Sequence, residues 1–233
     1  MVFLPMNSAV IIVAAGNSTR FRGDIPKQYV KVGKDIILNL TLKKFLNQNK
    51  IKYIQPVINK KHKKLYYEAI KNLFSYKNFK KILPPSFGGT ERSISVKMGL
   101  KKISQLNNVP EKVLIHDAAR PFVSKKIIKK IIKELDYYDA VFPSLNIVDA
   151  VWKIENDDFD FLNNKSAYYR AQTPQGFNFS KIFDAHKKNR DLWAYDDIYL
   201  AKKNNFKISK ILGSEFNIKI TNPEDLKIAK RFL

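Results

Sequence analysis

The 233-residue chain contains no cysteine. Disulfides and thiolate chemistry are therefore excluded, and the composition fits a reducing compartment, so a cytoplasmic location is expected. No apolar run approaches the length of a membrane span. The opening MVFLPMNSAVIIVAAG is apolar but has no basic leading segment and runs straight into a loop. It reads as a first core strand rather than a signal peptide. Internal repeats and low-complexity linkers are absent, so residues 1–233 read as one domain. No histidine–carboxylate or serine–histidine pattern offers a nucleophile with its base. His116, alone in its segment, makes neither a metal cluster nor a triad and is given no role. The Walker pattern G-x-x-x-x-G-K-[ST] is missing, as are a helix-turn-helix, zinc-finger spacing and an RNP-like aromatic strand. Acid is scarce too, with 21 Asp and Glu against 43 Lys and Arg, for a formal net charge of +22.

Such a charge suits a nucleic-acid or membrane-surface binder, but it also suits solvated lysine-rich helices. The lysines favour the second reading. They come in pairs along the whole chain (Lys43-Lys44, Lys60-Lys61, Lys125-Lys126, Lys129-Lys130, Lys202-Lys203) and alternate with apolar positions at helical spacing. Part of the charge is left to serve an anionic substrate, and neither a specific nucleic acid nor a membrane is expected as a partner. Hydrophobic residues make up 45% of the chain, enough for one sizeable core.

Apolar runs predict strands over Ala9–Ala15, Tyr53–Ile58, Lys80–Leu83, Lys112–His116, Ala140–Ser144 and Lys207–Leu212. Helical patterns lie between them. Ser124 can cap a helix through Tyr137 that carries Ile127, Ile128, Ile131, Ile132 and Leu135 on one face, Asp196 can cap another through Lys203, and Pro223 suits a first helical turn. This alternation implies a largely parallel sheet covered on both sides, with ligands bound beyond the carboxyl ends of its strands. Residues 146–172 break the rhythm with Val148, Val151, Trp152, Ile154, Tyr168 and Tyr169. They read as a protruding β-arm, marginal alone in water and explained by packing on a second subunit.

Four motifs carry chemistry. In Ala9–Lys27, the strand breaks into Ala14, Ala15 and Gly16, followed by Arg20, Arg22 and Lys27. Small residues let backbone N–H groups approach phosphate and the cations offset its charge, as a nucleoside triphosphate requires. In LIHDAARPF, Asp117 falls at a strand's carboxyl end, where one carboxylate can hold Mg²⁺ together with phosphate and water. Arg120 can meet a second anion bidentately. In FGGTERSISVKMGL, Gly88 and Gly89 allow unusual backbone angles and close approach to a flat ligand, and Arg92 and Ser95 supply polar groups at a helix start. The last motif joins YRAQTPQGF to the Asp196-Asp197 pair and NIKITNPEDL, where Lys219 sits in an alternating stretch that predicts a short strand.

With these motifs in this order and spacing from about Ala9 to Leu226, the chain resembles the 2-C-methyl-D-erythritol 4-phosphate cytidylyltransferase family of the non-mevalonate isoprenoid pathway. The resemblance implies a glycosyltransferase-A-like α/β fold, a mostly parallel sheet flanked by helices. It also implies a homodimer joined through the β-arm, and transfer of CMP from CTP to methylerythritol phosphate with release of pyrophosphate. Arg20 and Lys27 match the family's transition-state cations, Ala14, Ala15 and Gly16 its nucleotide loop, and Gly88, Gly89 and Ser95 the segment around cytosine. Asp117 matches the metal-binding aspartate beside the nucleotide, Arg120 an arginine near the second substrate, and Lys219 the lysine that positions the attacking phosphate. Ser18 and Thr90 replace a common glycine and aspartate. Ala150 stands where a threonine contacts the sugar phosphate, and Lys165 where an arginine from the neighbouring subunit positions it. Lysine keeps that charge but loses the bidentate fork. Cytidylyl transfer to another polyol phosphate, such as ribitol 5-phosphate, is the near alternative, and a basic nucleic-acid-binding protein the remote one.

Overall fold

Side-chain alternation on the first strand sets the architecture. β1 (Ser8–Ala14) sends Val10, Ile12 and Ala14 into one core and Ala9 and Ile11 into another, all of them buried. A strand apolar on both sides belongs in the interior of a sheet covered twice. In this computed structural model, which describes residues 8–17, 21, 25–189 and 196–233, β1 is such a strand.

After β1 the chain forms the short ribbon β2 (Lys31–Val32) and β3 (Asp35–Ile36), then α1 (Ile37–Leu46), β4 (Ile51–Ile58), α2 (Lys63–Ile70), β5 (Ser86–Phe87), α3 (Arg92–Ile103), β6 (Lys112–Asp117) and α4 (Lys125–Glu134). It continues through β7 (Ala140–Asn146), β8 (Trp152–Glu155), β9 (Asp158–Phe161), β10 (Tyr169–Ala171), β11 (Gln175–Asn178), α5 (Phe179–Lys188), α6 (Asp197–Lys203), β12 (Ile208–Leu212) and α7 (Pro223–Lys230). The main sheet has the order β10-β7-β11-β6-β1-β4-β5, with β12 also paired to β7. β1 lies parallel between β4 and β6, and Val13 stands level with Val57 on one side and Asp117 on the other. β11 is antiparallel to both β6 and β7, and β10 is antiparallel to β7. The sheet is thus mixed and mostly parallel.

Helices α1, α2 and α4 cover one side, meeting Val10, Ile12, Leu114 and Val141. Helices α3, α5 and α6 cover the other, meeting Ala9, Ile11, Val113 and Phe177. α3 lies directly on the sheet because it carries Gly99, where an added Cβ would come within 2.8 Å of the Ile11 side chain. A smaller cluster of Phe21, Val32, Ile37, Leu40, Ile220 and Ala229 ties α7 to the β2–β3 ribbon. The lysines of α4 (Lys125, Lys126, Lys129, Lys130, Lys133) are exposed while its four isoleucines are buried. Ser124 and Asp196 cap α4 and α6 through their side chains, and Pro223 opens α7 behind an Asn222–Asp225 capping box.

Three expectations change. The apolar pattern over Lys80–Leu83 forms no strand: Phe79–Lys81 makes a 3-10 turn and Ile82 a single bridge to Ile54, so the sheet edge falls later, at β5. The alternation around Lys219 is also not a strand, since Ile218 and Ile220 pack irregularly into the small cluster and the Ile220 N–H bonds the Ala119 carbonyl. The arm is shorter than residues 146–172, because β7 and β10 are themselves strands of the main sheet. Only β8 and β9 form the separate hairpin, turned through Asn156 and Asp157 with positive φ. Its cross-strand pairs Trp152–Phe161 and Ile154–Phe159 share one side, and Lys153–Asp160 and Glu155–Asp158 the other. The apolar side is open to solvent, with Trp152 54% exposed.

Ile11→Ala should leave a cavity between sheet and α3 and cost about 2–5 kcal/mol, read as a lowered denaturation midpoint in urea with an unchanged m-value.

Candidate active site

Parallel strands end together, and β1 and β6 end on a cavity of about 300 Å³. Its walls come from the loop after β1 (Ala14, Ala15, Gly16), from Lys27 and Gln28, from the start of α3 (Gly89 to Arg92, then Ser95), from Asp117 to Ala119, and from Lys219 and Thr221. Ligands of open α/β sheets bind at this edge.

Asp117 is the last residue of β6 and nearly buried. Three cations reach it: Lys219 Nζ at 2.9 Å from Oδ2, Arg92 Nε at 3.3 Å from Oδ1 and Arg120 Nε at 3.5 Å from Oδ2. Burial alone would raise its pKa, but the charges of Lys219, Arg92 and Arg120 outweigh that and hold it well below the usual carboxylate range. The Asp117 N–H donates to Thr173 Oγ1 at 3.1 Å, and Thr173 Oγ1 lies 3.1 Å from His116 Nδ1. His116 Nε2 is 3.0 Å from the Arg120 carbonyl. A carbonyl only accepts, so Nε2 carries the hydrogen and Nδ1 accepts from the threonine hydroxyl. His116 thereby ties both ends of the loop that carries Asp117 and Arg120.

Gly88 and Gly89 do not have positive φ, so unusual backbone angles are not why glycine stands there. Space is the reason: a Cβ on Gly88 would lie 2.4 Å from Ser95 Oγ and 2.5 Å from the Ala15 Cβ, and one on Gly89 2.3 Å from Ile94 Cγ2. Gly88 packs beneath the wall and Gly89 lines it. Arg120 differs from expectation as well. Its Nη1 donates to the Asn217 carbonyl at 2.8 Å and its Nε faces Asp117, so the guanidinium turns inward and does not line the cavity. Ala150 and Lys165 lie on the exposed arm, where Lys165 Nζ donates to the Val148 carbonyl at 2.8 Å. Neither lines the cavity. Arg20 and Arg22 fall outside the described residues.

The structure adds residues whose place the motifs alone do not reveal. Gln28 is buried and donates to the carbonyls of Ala14 and Gly16, at 2.9 and 3.0 Å, fixing the loop after β1. Arg92 also donates to buried Asp197, 2.6 Å away, behind the cavity. The signal for the first was the glutamine in Pro26-Lys27-Gln28, and for the second the Asp196-Asp197 pair.

Among the described residues no group of three or more His, Asp or Glu could hold a metal ion. Mg²⁺ needs only one or two protein carboxylates when phosphates and waters complete its shell. Asp117, kept ionised at the cavity wall by its neighbouring cations, is the carboxylate that would hold such an ion.

Fold and cavity together place fixed cations at the carboxyl edge of a mostly parallel sheet, a setting that suits phosphate-bearing ligands. The comparisons narrow this. The family model for IspD, 2-C-methyl-D-erythritol 4-phosphate cytidylyltransferase, matches residues 8–233, and the chain belongs to that family. It is 36% identical over 226 residues to the 2-C-methyl-D-erythritol 4-phosphate cytidylyltransferase of Neorickettsia sennetsu, covering 95% of this chain and 94% of that protein. It is 34% identical over 224 residues to the bifunctional enzyme IspD/IspF of Wolbachia pipientis, covering 95% of this chain but 54% of that protein. The chain therefore spans about half the length of its bifunctional relatives. The solved 4-diphosphocytidyl-2C-methyl-D-erythritol synthase of Anaerococcus prevotii superimposes with a TM-score of 0.80 at 27% identity, covering 97% of this chain and 95% of that one.

Burial pushes the His116 pKa down from 6.5 to about 4. The folded imidazole is neutral, while the unfolded one takes up a proton below pH 6.5, so the contribution is complete above that pH and is lost as pH falls toward 4. From this group the chain should be roughly 2 kcal/mol less stable at pH 5 than at pH 7. Urea titrations at the two pH values should show His116→Gln flattening that difference.

Proposed function

We propose that this chain transfers CMP from CTP to 2-C-methyl-D-erythritol 4-phosphate, giving 4-diphosphocytidyl-2-C-methyl-D-erythritol and pyrophosphate. The observation that carries the reading is the convergence of Lys27, Arg92, Lys219 and Asp117 on one cavity where β1 and β6 end. A phosphate oxygen of the alcohol phosphate attacks the α-phosphorus of CTP, a new P–O bond forms there, and the bond to the leaving pyrophosphate breaks. Both reactants are anions, so the obstacles are repulsion and misalignment rather than proton transfer. The nucleophile is already ionised at neutral pH, which agrees with a cavity not lined by histidine.

Lys27, with Arg20 assigned the same role by family resemblance, stabilises charge that builds on the α-phosphate and the leaving group. Ala14, Ala15 and Gly16 bring backbone close to the triphosphate, and Gly88, Gly89 and Ser95 frame the base. Lys219 leaves Asp117 for the attacking phosphate and holds it in line. Mg²⁺ on Asp117 supplies charge neutralisation for the phosphates when bound. Arg120 braces Asp117 and the Asn217 segment from behind.

The exposed apolar side of the hairpin supports a homodimer in which each arm packs on the partner. Ala150 and Lys165, remote from their own cavity, then serve the second subunit's alcohol phosphate. The cytoplasm is the proposed location, on the lack of cysteine. Among the described residues no helix is long and apolar enough to cross a membrane.

Purified chain with CTP and Mg²⁺ should release pyrophosphate with methylerythritol phosphate and not with ribitol 5-phosphate; the reverse preference, or no release, overturns the reading. Lys27→Ala should keep the fold by circular dichroism and lose roughly a hundredfold or more in turnover. Trp152→Asp should convert a dimer to monomer in sedimentation velocity and lower turnover with it.

A further inference from the structure

One buried side chain grips the loop after β1 twice. Gln28 is 3% exposed, and its Nε2 donates to the carbonyl of Ala14 at 2.9 Å and to that of Gly16 at 3.0 Å. A carbonyl only accepts, so both hydrogens of the amide are spent on this loop. The preceding residue, Lys27, lines the cavity together with Ala14, Ala15 and Gly16.

A peptide group is planar and trans, so its N–H points opposite to its carbonyl. Gripping the Ala14 and Gly16 carbonyls therefore fixes two N–H groups, those of Ala15 and Asn17, facing away from Gln28. On β1 the Val13 carbonyl accepts from the Ala118 N–H, on the β6 side. Carbonyls alternate along a strand, so that of Ala14 turns away from β6 and the Ala15 N–H turns back toward it. On that side Asp117, Ala118 and Ala119 line the cavity. Outward backbone N–H groups are ready ligands for phosphate oxygens.

Gly16 supplies a second observation. Its φ is not positive, and among the described residues no atom lies within 4 Å of where a Cβ would stand. Neither backbone angle nor packing calls for glycine there, which leaves close approach of a ligand to the backbone.

We propose that Gln28 is a positioning residue for the triphosphate: its double grip on the Ala14 and Gly16 carbonyls turns the N–H groups of Ala15 and Asn17 outward to the phosphate oxygens. This rests on the reading of the cavity as a nucleoside triphosphate site. Without the grip the two peptide groups are free to rotate, and the loop meets the phosphates with carbonyls as readily as with N–H groups.

The test combines amide resonances with steady-state kinetics. When wild-type chain is titrated with inorganic tripolyphosphate, the amide proton of Ala15, of Asn17 or of both should shift downfield; resonances that stay in place at both positions overturn the proposal. Gln28→Met keeps the length of the side chain and lacks the hydrogens. It should remove that shift and raise KM for CTP roughly tenfold or more, with KM for methylerythritol phosphate about the same. A side chain that only supported the fold would lower kcat through the active fraction and move neither KM, and that result also overturns the proposal. If Gln28→Met does not fold, Gln28→Leu, smaller and equally without a donor, takes its place with the same expectation. Wild-type chain that binds neither CTP nor tripolyphosphate sinks the nucleotide reading and this proposal with it. Wild-type binding with an unchanged KM for CTP in the variant sinks the proposal alone.

Discussion

The structure depends on one buried negative charge. An uncompensated carboxylate at the position of Asp117 would cost several kcal/mol, so cations from three separate segments must reach it. Arg92 begins α3, Arg120 follows β6, and Lys219 precedes α7. Closing that cluster draws the three segments together around one carboxylate. Arg92 also reaches Asp197, and Lys27 and Glu91 line the same cavity.

The same cluster has to be rigid in one direction and yielding in another. Rigidity comes from neutral hydrogen bonds: the Asp117 N–H to Thr173, the Thr173 hydroxyl to His116, and the His116 N–H to the Arg120 carbonyl. None of these bonds involves a net charge, so substrate charge entering the cavity does not compete for them. Lys219 is the most exposed of the three cations on Asp117. In the proposed reaction the carboxylate stays in place while Lys219 turns to the attacking phosphate.

Much of this was legible in the residues. β1, β4, β6, β7 and β12 announce themselves as apolar runs, and the isoleucines of α4 mark its buried side, because local periodicity follows burial. Lys80–Leu83 and Ile218–Ile220 misled because short apolar alternation does not distinguish a ladder from irregular packing into a small cluster. β11 was missed because Gln175 and Gly176 carry no strand signal and Gly176 is glycine for the sake of α4, whose Ile131 would meet an added Cβ at 2.4 Å. At the site, Lys27, Asp117 and Lys219 were found by the company of their motifs. The inward turn of Arg120 and the split grip of Arg92 were not, since both depend on partners (Asn217, Asp197) far away along the chain.

The order of the walls along the polypeptide has a bearing on biosynthesis. The pocket draws on Ala14, then Arg92 and Asp117, and then Lys219, segments far apart along the chain. During synthesis the aspartate and its two arginines leave the ribosome well before the lysine does. Such contacts between distant segments form late in folding. Binding capacity then arrives with Lys219 rather than growing in proportion to length, and a chain cut short before Asn217 would keep every strand of the described main sheet and lack one side of its site.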